Sequence, residues 1–396
     1  ERDRQLEPDP AAGPHVLPVI SRVLLALGLS IVMLFAGVTS YLVLDGRQSK
    51  VAAPPSKPTA ATPRARALVL PGTLYLAQSG ALYSFSTGRF HQLTPEAGWS
   101  QPTATPDGGS LLAVKNGGYF SDVYELNRYG KPTRQLTSNA ARLGMRDPSS
   151  NHWSFYPRLS PDGGTLWMTY DGGKSSGLLL ITFDIWAMPV NGGMPKARAW
   201  TTTGLVPGGN VQPIPVSGGI IYTQYNYDDQ GRPTGQLWFA NRPNTVGRAL
   251  TAQSEDCRNP SLSPDGTQIA MVCTYVKQVS YLTIASWNGS TLGPRQTVIT
   301  DQLVAQPTWA PDGSGIAYLA PAEADGPFQL WWLPKGAYAP PAPSPVPVPT
   351  PTPGGPHNGP LPSPSPIVTP PAPVIKPIEV TTNDGFDATS PMAWLN

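Results

Sequence analysis

Four aspartates recur in the same Pro-Asp-Gly setting, and they are the first side chains to consider for chemistry, because clustered carboxylates can transfer protons or bind cations. They are Asp107, Asp162, Asp265 and Asp312. Each lies between a proline, which restricts φ, and a glycine, which tolerates a positive φ. That local pattern is typical of a tight turn. We therefore predict that the four aspartates form turns and have structural rather than catalytic roles.

The two cysteines, Cys257 and Cys273, are placed for disulfide chemistry. Each is eight residues from Asp265, the centre of a predicted hairpin turn. Residues equidistant from such a turn face each other across the two strands, within the short separation that a disulfide requires. Two unrelated buried thiols are the alternative. A disulfide would indicate an oxidising compartment, so we predict that this part of the chain lies outside the cytoplasm.

Other groups that carry chemistry are sparse. The four histidines, His15, His91, His152 and His357, are far apart in the sequence, which does not favour a metal centre. We predict ordinary surface positions for His91 and His152. No serine is predicted on the strand-to-helix elbow of a hydrolase, and no phosphate-binding loop is expected. The sequence predicts no catalytic residues, no metal and no cofactor, and favours a protein that is not an enzyme.

Two predicted loops, at 139–155 and 226–235, are long enough to carry recognition. Aromatic side chains in or beside them are candidate contacts for a peptide or a glycan: Trp153, Phe155, Tyr225 and Tyr227. Local packing of the same side chains is the alternative. Charged residues make up 13% of the chain and the net charge is +2, so no basic surface for nucleic acid is expected.

The turns belong to a repeat that occupies most of the chain from residue 68 onward. Most copies begin with a polar residue and a proline, reach the Pro-Asp-Gly turn, and continue into an apolar strand, as in 259–273. A strand containing aromatic residues and a short strand ending in threonine follow in most copies. The copy at 212–223 lacks the Pro-Asp pair. Four strands in a repeat of about 47–56 residues are typical of a β-propeller blade.

The two ends of the repeat region complement each other. Residues 73–94 provide three strands of a blade without its first strand, and residues 388–394 provide one spare first strand. Pairing them would close the ring and remove an unpaired edge. We predict an all-β fold over 68–396: a six-bladed β-propeller of four-stranded blades, closed by the C-terminal strand.

One long apolar segment precedes this region. Residues 23–44 carry no charge, and at about 1.5 Å per residue a helix of this length crosses a bilayer core of roughly 30 Å. We predict one transmembrane helix there, between a polar segment at 1–22 and a Pro/Ala-rich linker at 45–67. A cleaved signal peptide and a buried helix are the alternatives. Basic residues after the segment favour a cytoplasmic propeller, but the predicted disulfide favours the opposite side and is given more weight.

A proline-rich tract at 340–373 interrupts the sixth predicted blade. Sixteen of its 34 residues are proline, and such a sequence is extended and does not join a sheet. Residues 378–381 then resume as the outer strand of the blade. We interpret the tract as an insertion, which either has no function of its own or serves as a spacer or partner-binding arm.

The Pro-Asp-Gly turns, the Leu-Trp strands and the Leu-Thr endings together make residues 68–396 resemble the WD40-like (PD40) repeats of TolB-type six-bladed propellers. Four clear copies and one degenerate copy carry the resemblance. The chain departs from TolB because the predicted anchor stands where TolB has a separate α/β domain. Similar propellers also accompany the hydrolase domains of prolyl-oligopeptidase-like enzymes, but no such domain is expected here.

These patterns together predict a non-catalytic propeller that is anchored in the cell membrane by the single span at 23–44 and lies outside the cytoplasm. The expected partner is a protein or a cell-envelope polymer. A hydrolase or lyase with its site in the central funnel is the alternative, and so is the sensor domain of a longer membrane receptor.

Overall fold

The computed structural model describes residues 68–141, 150–172, 182–202, 209–245, 247–274, 280–338 and 376–396. The predicted segments at 1–22, 23–44 and 45–67 and the proline-rich tract at 340–373 lie outside these residues. The described residues belong to one unit, Arg66–Asn396. Among them, no helix is both long enough and apolar enough to cross a membrane.

The described residues form 24 β-strands in six four-stranded antiparallel sheets, which we number as blades in chain order. Blade 1 contains β24 (Ala393–Leu395), β1 (Thr73–Gln78), β2 (Ala81–Ser86) and β3 (Arg89–Gln92). Blade 2 contains β4 (Trp99–Ala104), β5 (Ser110–Asn116), β6 (Ser121–Asn127) and β7 (Pro132–Gln135). Blade 3 contains β8 (Ser154–Leu159), β9 (Thr165–Tyr170), β10 (Asp184–Pro189) and β11 (Arg198–Ala199).

The other three blades follow the same order. Blade 4 contains β12 (Asn210–Val216), β13 (Gly219–Tyr227), β14 (Pro233–Ala240) and β15 (Arg248–Ala249). Blade 5 contains β16 (Cys257–Leu262), β17 (Gln268–Cys273), β18 (Tyr281–Trp287) and β19 (Leu292–Ile299). Blade 6 contains β20 (Ala305–Trp309), β21 (Gly315–Pro321), β22 (Phe328–Pro334) and β23 (Ile378–Glu379). The predicted all-β six-bladed propeller of four-stranded blades is confirmed.

The first strand of each blade, from β24, β4, β8, β12, β16 and β20, lines the axial channel. We call the end of the propeller at which these inner strands begin the loop face. The opposite end carries the Pro-Asp-Gly turns, which join inner strands to second strands, and we call it the turn face. The second strands are apolar because adjacent blades cover both of their sides, as in β17, where Ile269 to Cys273 are all buried.

The hydrophobic core therefore lies between blades rather than within one blade. At the interface of blades 4 and 5, Ile221 and Phe239 pack with Ile269 and Trp287 in one cluster. The rings of Phe239 and Trp287 meet edge to face, with centroids 5.4 Å apart. Such packing between blades makes each blade depend on its neighbours.

The ring closes where the C-terminal strand joins the N-terminal blade. As the sequence predicts, β24 pairs with β1, and Leu74 lies opposite Trp394. The Trp394 indole packs edge to face on Trp332 of blade 6, with centroids 5.7 Å apart. Its N–H also donates to the Pro71 carbonyl oxygen, at 2.5 Å. Gly72 has a φ of 63°, and a Cβ there would overlap the Leu395 carbonyl oxygen, so only glycine lets the two ends approach.

The Leu-Thr endings of the repeat have a structural explanation. In five blades the threonine hydroxyl accepts a hydrogen bond, of 2.8 to 3.0 Å, from a backbone N–H of the third strand. The threonines are Thr94, Thr137, Thr201, Thr251 and Thr381. The outer strand is short and offers no backbone carbonyl to this N–H, so the threonine hydroxyl accepts the hydrogen bond instead. Thr381 does this in blade 6, where β23 pairs with β22 as predicted.

The Pro-Asp-Gly aspartates form the turns predicted for them. The Asp265 carboxylate accepts hydrogen bonds from the Ser263 hydroxyl at 2.6 Å and from the Thr267 N–H at 3.1 Å. Asp107 is bonded in the same way by Thr105 and Gly109. Asp162 accepts from the equivalent Ser160 hydroxyl and Gly164 N–H. Asp312 accepts from the Ser314 N–H at 2.9 Å, and alanine stands at the position of the preceding serine. All four side chains lie at the surface, away from the axis.

Because of these hydrogen-bonded aspartates, we expect the protein to lose stability in acid. Donated hydrogen bonds, chiefly from the neighbouring serine or threonine side chain, lower the pKa of all four aspartates below 3.8. A lowered pKa stabilises the fold above the unfolded-state value, and that contribution disappears as the pH falls through the folded-state value. Urea denaturation at a series of pH values checks this. The fourfold Asp→Asn variant should be less stable than the wild type at pH 7, and the difference should shrink steadily below pH 3.8. A difference that does not change with pH would contradict the assignment.

Candidate binding site in the axial channel and at the loop face

A ring of left-handed residues surrounds the channel midway along the inner strands. It consists of the polar residues that precede proline in the repeat: Gln101, Tyr156, Gln212, Asn259 and Gln306, with φ of 53°, 51°, 57°, 52° and 48°. At each one the pairing with the second strand shifts by one residue. Proline has no N–H for the ladder, so the inner strand forms a bulge there. The sequence predicts these stretches as ordinary strands, and the bulges are a finding of the structure.

Hydrogen bonds from this ring connect neighbouring blades. The Gln101 N–H donates to the Ser390 hydroxyl at 2.7 Å, and the Gln101 side-chain oxygen accepts from the Tyr156 N–H at 2.6 Å. Gln306 donates to the Ala388 carbonyl oxygen at 3.0 Å. A left-handed residue other than glycine costs roughly 1–3 kcal/mol, and these bonds across blades offset part of that cost. The result is a rigid polar collar around the axis.

Two cavities lie along the channel, and their linings share only Asn259. One has a volume of about 340 Å³ and extends from the collar toward the turn face, between the inner strands of all six blades. The other has a volume of about 920 Å³ and opens at the loop face, beside blades 4, 5 and 6. Both are within or near the size range of ligand sites in proteins.

The hairpin between β13 and β14 forms one wall of the larger cavity. The Asp228 carboxylate accepts from the N–H groups of Gln230 and Arg232, both at 2.9 Å, which closes the turn. It also pairs with the Arg232 guanidinium at 2.7 Å. The hydrogen bond from the Arg232 N–H and then that from its side chain lower the pKa of Asp228. A carboxylate and a guanidinium are thereby held side by side on the rim.

A second charged pair lies on the wall formed by blade 5. The Arg258 guanidinium pairs with the Asp256 carboxylate at 2.6 Å and donates to the Thr274 hydroxyl at 3.2 Å. Asp256 also accepts from the Gly235 N–H of blade 4 at 2.6 Å, so the two blades are joined at this point. Leu303, which is 46% exposed, adds an apolar group to the lining.

The disulfide lies directly beside this second pair. Cys257 and Cys273 occupy opposite positions on β16 and β17 and are joined by a disulfide bond. Both are fully buried at the loop-face end of blade 5. Because Asp256 and Arg258 flank Cys257, the bond holds the strand that carries them in place.

The four predicted aromatic contacts divide into two groups. Trp153 and Phe155 stack on each other, with centroids 5.9 Å apart, and Phe155 also meets Phe183 edge to face. Both are half-buried on blade 3. Tyr225 is also half-buried, hydrogen-bonds to Arg258, and has a raised pKa chiefly because burial disfavours the phenolate. Only Tyr227, which is 47% exposed, lines the larger cavity. Local packing thus accounts for three of the four side chains.

A histidine–aspartate pair at the loop face of blade 3 was missed by the sequence reasoning, which predicts His152 as an ordinary surface residue. The Nδ1 atom of His152 lies 3.1 Å from the Asp171 carboxylate, whose side chain is completely buried. The same carboxylate accepts from the Trp153 N–H at 2.8 Å. The two residues are 19 positions apart, beside the paired ends of β8 and β9. Trp153 and Asp171 are each nine residues from Asp162, so strand pairing that is symmetric about that turn brings Asp171 close to His152. The letters at 173–177 match the pattern Gly-x-Ser-x-Gly, but they lie outside the described residues.

Solved structures of other proteins share this architecture. TolB from Acinetobacter baumannii matches with a TM-score of 0.50 and 17% sequence identity, over 66% of this chain. This chain spans 61% of the length of that protein. The fold is a TolB-like six-bladed β-propeller. At this level of identity the likeness shows the fold alone.

Further structures match less closely. A putative TolB from Agrobacterium tumefaciens has a TM-score of 0.47 and 17% identity, over 67% of this chain and 85% of that one. A puromycin-hydrolyzing peptidase from Mycobacterium tuberculosis has a TM-score of 0.43 and 14% identity, over 67% of this chain and 45% of that one. No protein-family model matches this chain. No curated protein sequence matches it either.

Proposed function

We propose that this protein is a non-catalytic scaffold, anchored in the membrane through residues 23–44, whose propeller lies outside the cytoplasm and binds a protein or a cell-envelope polymer. The observation that carries the proposal is the open cavity of about 920 Å³ at the loop face. The Cys257–Cys273 disulfide supports the extracytoplasmic location, because such bonds persist in oxidising compartments. The uncharged segment at 23–44 supports the anchor.

The chemistry of the rim favours a polar chain segment as the occupant. Carboxylates and guanidinium groups alternate along it, from Asp228 and Arg232 to Asp256 and Arg258, so it offers both donors and acceptors to a backbone. Tyr227 adds an exposed aromatic ring, and tyrosine and arginine are enriched among residues that dominate binding energy at protein interfaces. A rigid ring with such a rim can bind a partner without undergoing rearrangement itself.

A tyrosine substitution tests the proposal. Tyr227→Ala should weaken capture of the partner from native membranes by at least about tenfold, which is the effect of losing a residue worth roughly 1.4 kcal/mol or more. Quantitative pull-down with the full chain measures it. Tyr129→Ala is the matched control, because Tyr129 is 76% exposed but lies at the turn face. Equal capture by both variants would contradict a loop-face site. An unchanged partner set after deletion of 340–373 would remove the proline-rich tract as a binding arm.

A hydrolase is the second candidate, and the His152–Asp171 pair favours it. A buried carboxylate that holds a histidine through Nδ1 is the arrangement of a general base and its orienting partner. Labelling of the native chain with a fluorophosphonate probe separates the two functions. Labelling that disappears in His152→Ala would support the hydrolase and contradict a purely binding role.

A further inference from the structure

One inner-strand position distinguishes blade 3 from the other five blades. The residue after the inner-strand proline faces the same cavity in every blade. In the other blades it is neutral: Thr103, Ile214, Ser261, Thr308 and Met392. In blade 3 it is Arg158. The architecture of a blade therefore does not require a cation at this point, since five blades form without one.

Among the described residues, nothing around Arg158 neutralises its charge. It is the only charged side chain that these residues contribute to the lining of the cavity of about 340 Å³, whose walls include seven prolines. Its one hydrogen bond among the described residues is from Nη1 to the Pro157 carbonyl oxygen, at a long 3.5 Å. None of the ion pairs formed by the described residues includes it. Burial of an unpaired charge is unfavourable unless a ligand or water compensates it.

The charge is nevertheless present at neutral pH. Withdrawal from water lowers the pKa of Arg158 to about 10, and no nearby carboxylate counters that effect. The guanidinium is therefore protonated throughout the physiological range. A guanidinium that is only partly hydrated and held between rigid walls is preorganised for an anion, because it loses little hydration and little conformational freedom on binding.

We propose that this cavity is a binding site for a single carboxylate group, held by the Arg158 guanidinium. The planar fork of arginine matches the two oxygens of a carboxylate. One guanidinium balances one carboxylate, whereas a phosphate dianion would leave an excess negative charge, because the described residues of the lining include no second cation. Tyr156, Gln212 and Ser261 line the same cavity and offer hydroxyl and amide groups to the rest of the ligand. The carboxylate can belong to a small organic acid or to an acidic side chain of a polypeptide.

Isothermal titration calorimetry of the full chain tests the site with two probes. Sodium acetate represents a free acid, and a tripeptide amide with a central glutamate represents an acidic side chain, with its glutamine counterpart as reference. We expect saturable binding of at least one acidic probe, weakened at least tenfold in Arg158→Met. Arg158→Lys should be intermediate, because lysine keeps the charge but not the planar fork. Arg198→Met is the matched control: Arg198 lies exposed on the outer strand of the same blade, and binding should not change.

Each outcome decides for or against the site. Binding of acetate alone identifies a small acid as the source, and binding of the glutamate peptide but not its glutamine counterpart identifies a polypeptide. Either supports the proposal. No saturable binding of either acidic probe, equal binding by Arg158→Met, or Arg158-dependent binding of inorganic phosphate in preference to both probes would overturn it. Methionine already occupies this position in blade 1, so the variant is expected to fold. If Arg158→Met does not fold, Arg158→Thr replaces it as the test variant, because threonine occupies this position in blades 2 and 6.

Discussion

Removal of the last seven residues should abolish the cooperative unfolding transition of the propeller. Truncation after Thr389 deletes β24 and with it three large side chains that are at least 90% buried: Met392, Trp394 and Leu395. Loss of a buried tryptophan alone costs about 3–5 kcal/mol, and native domains are stable by only about 5–15 kcal/mol. The truncation also exposes the edge of β1, an unpaired strand that can associate with other chains. Thermal denaturation followed by circular dichroism, together with size-exclusion chromatography, measures both effects.

Two smaller changes near the C-terminus show how much of this loss of stability comes from single residues. Trp394→Ala should lower the free energy of unfolding by about 3–5 kcal/mol, since it removes the contact with Trp332 as well as the buried area. Deletion of Asn396 alone should have no measurable effect, because that residue is exposed and outside β24. A truncated chain that still melts cooperatively as a monomer would show that the ring does not depend on its closing strand.

Reduction of the Cys257–Cys273 disulfide should lower the free energy of unfolding by about 3 kcal/mol, the amount expected for opening a loop of roughly 15 residues in the unfolded chain. The bond spans 16 positions and joins β16 to β17 within one blade. Chemical denaturation with and without dithiothreitol measures the change. Because Asp256 and Arg258 flank Cys257, reduction should also weaken capture at the loop face, while leaving acetate binding at Arg158 unaffected.

The double variant Cys257→Ala/Cys273→Ala distinguishes the effect of losing the disulfide from other effects of dithiothreitol. It should be destabilised at least as much as the reduced wild type and should not respond further to dithiothreitol. Two free thiols in the native protein, detected by mass spectrometry under non-reducing conditions, would contradict the disulfide and would remove the support that it lends to an extracytoplasmic location. A reductant that leaves the wild-type transition unchanged would mean that the bond contributes no stability.

Local chemistry in the sequence determines most of the architecture. The Pro-Asp-Gly turns restrict the backbone within three residues, so their number and spacing indicate how many hairpins form and where. Equal distances from Asp265 place the two cysteines opposite each other, because hairpin pairing is symmetric about the turn. The spare strand at the C-terminus predicts closure because unpaired edges are unfavourable. Each of these inferences depends on neighbours in sequence or on strand pairing alone.

The tertiary structure decided what the interior of the ring contains. That Gln101 and its equivalents adopt left-handed conformations depends on the bulge beside proline and on hydrogen bonds from the next blade. That Arg158 is the only charged group among the described residues lining its cavity depends on six inner strands that are far apart in the sequence. The approach of His152 to Asp171 depends on the pairing between two strands and on the path of the chain before them. The collar and the cavity arise where different blades meet, and the histidine–aspartate pair arises where two strands of blade 3 meet. The order of residues along the repeat does not give the distances or the surroundings of such groups.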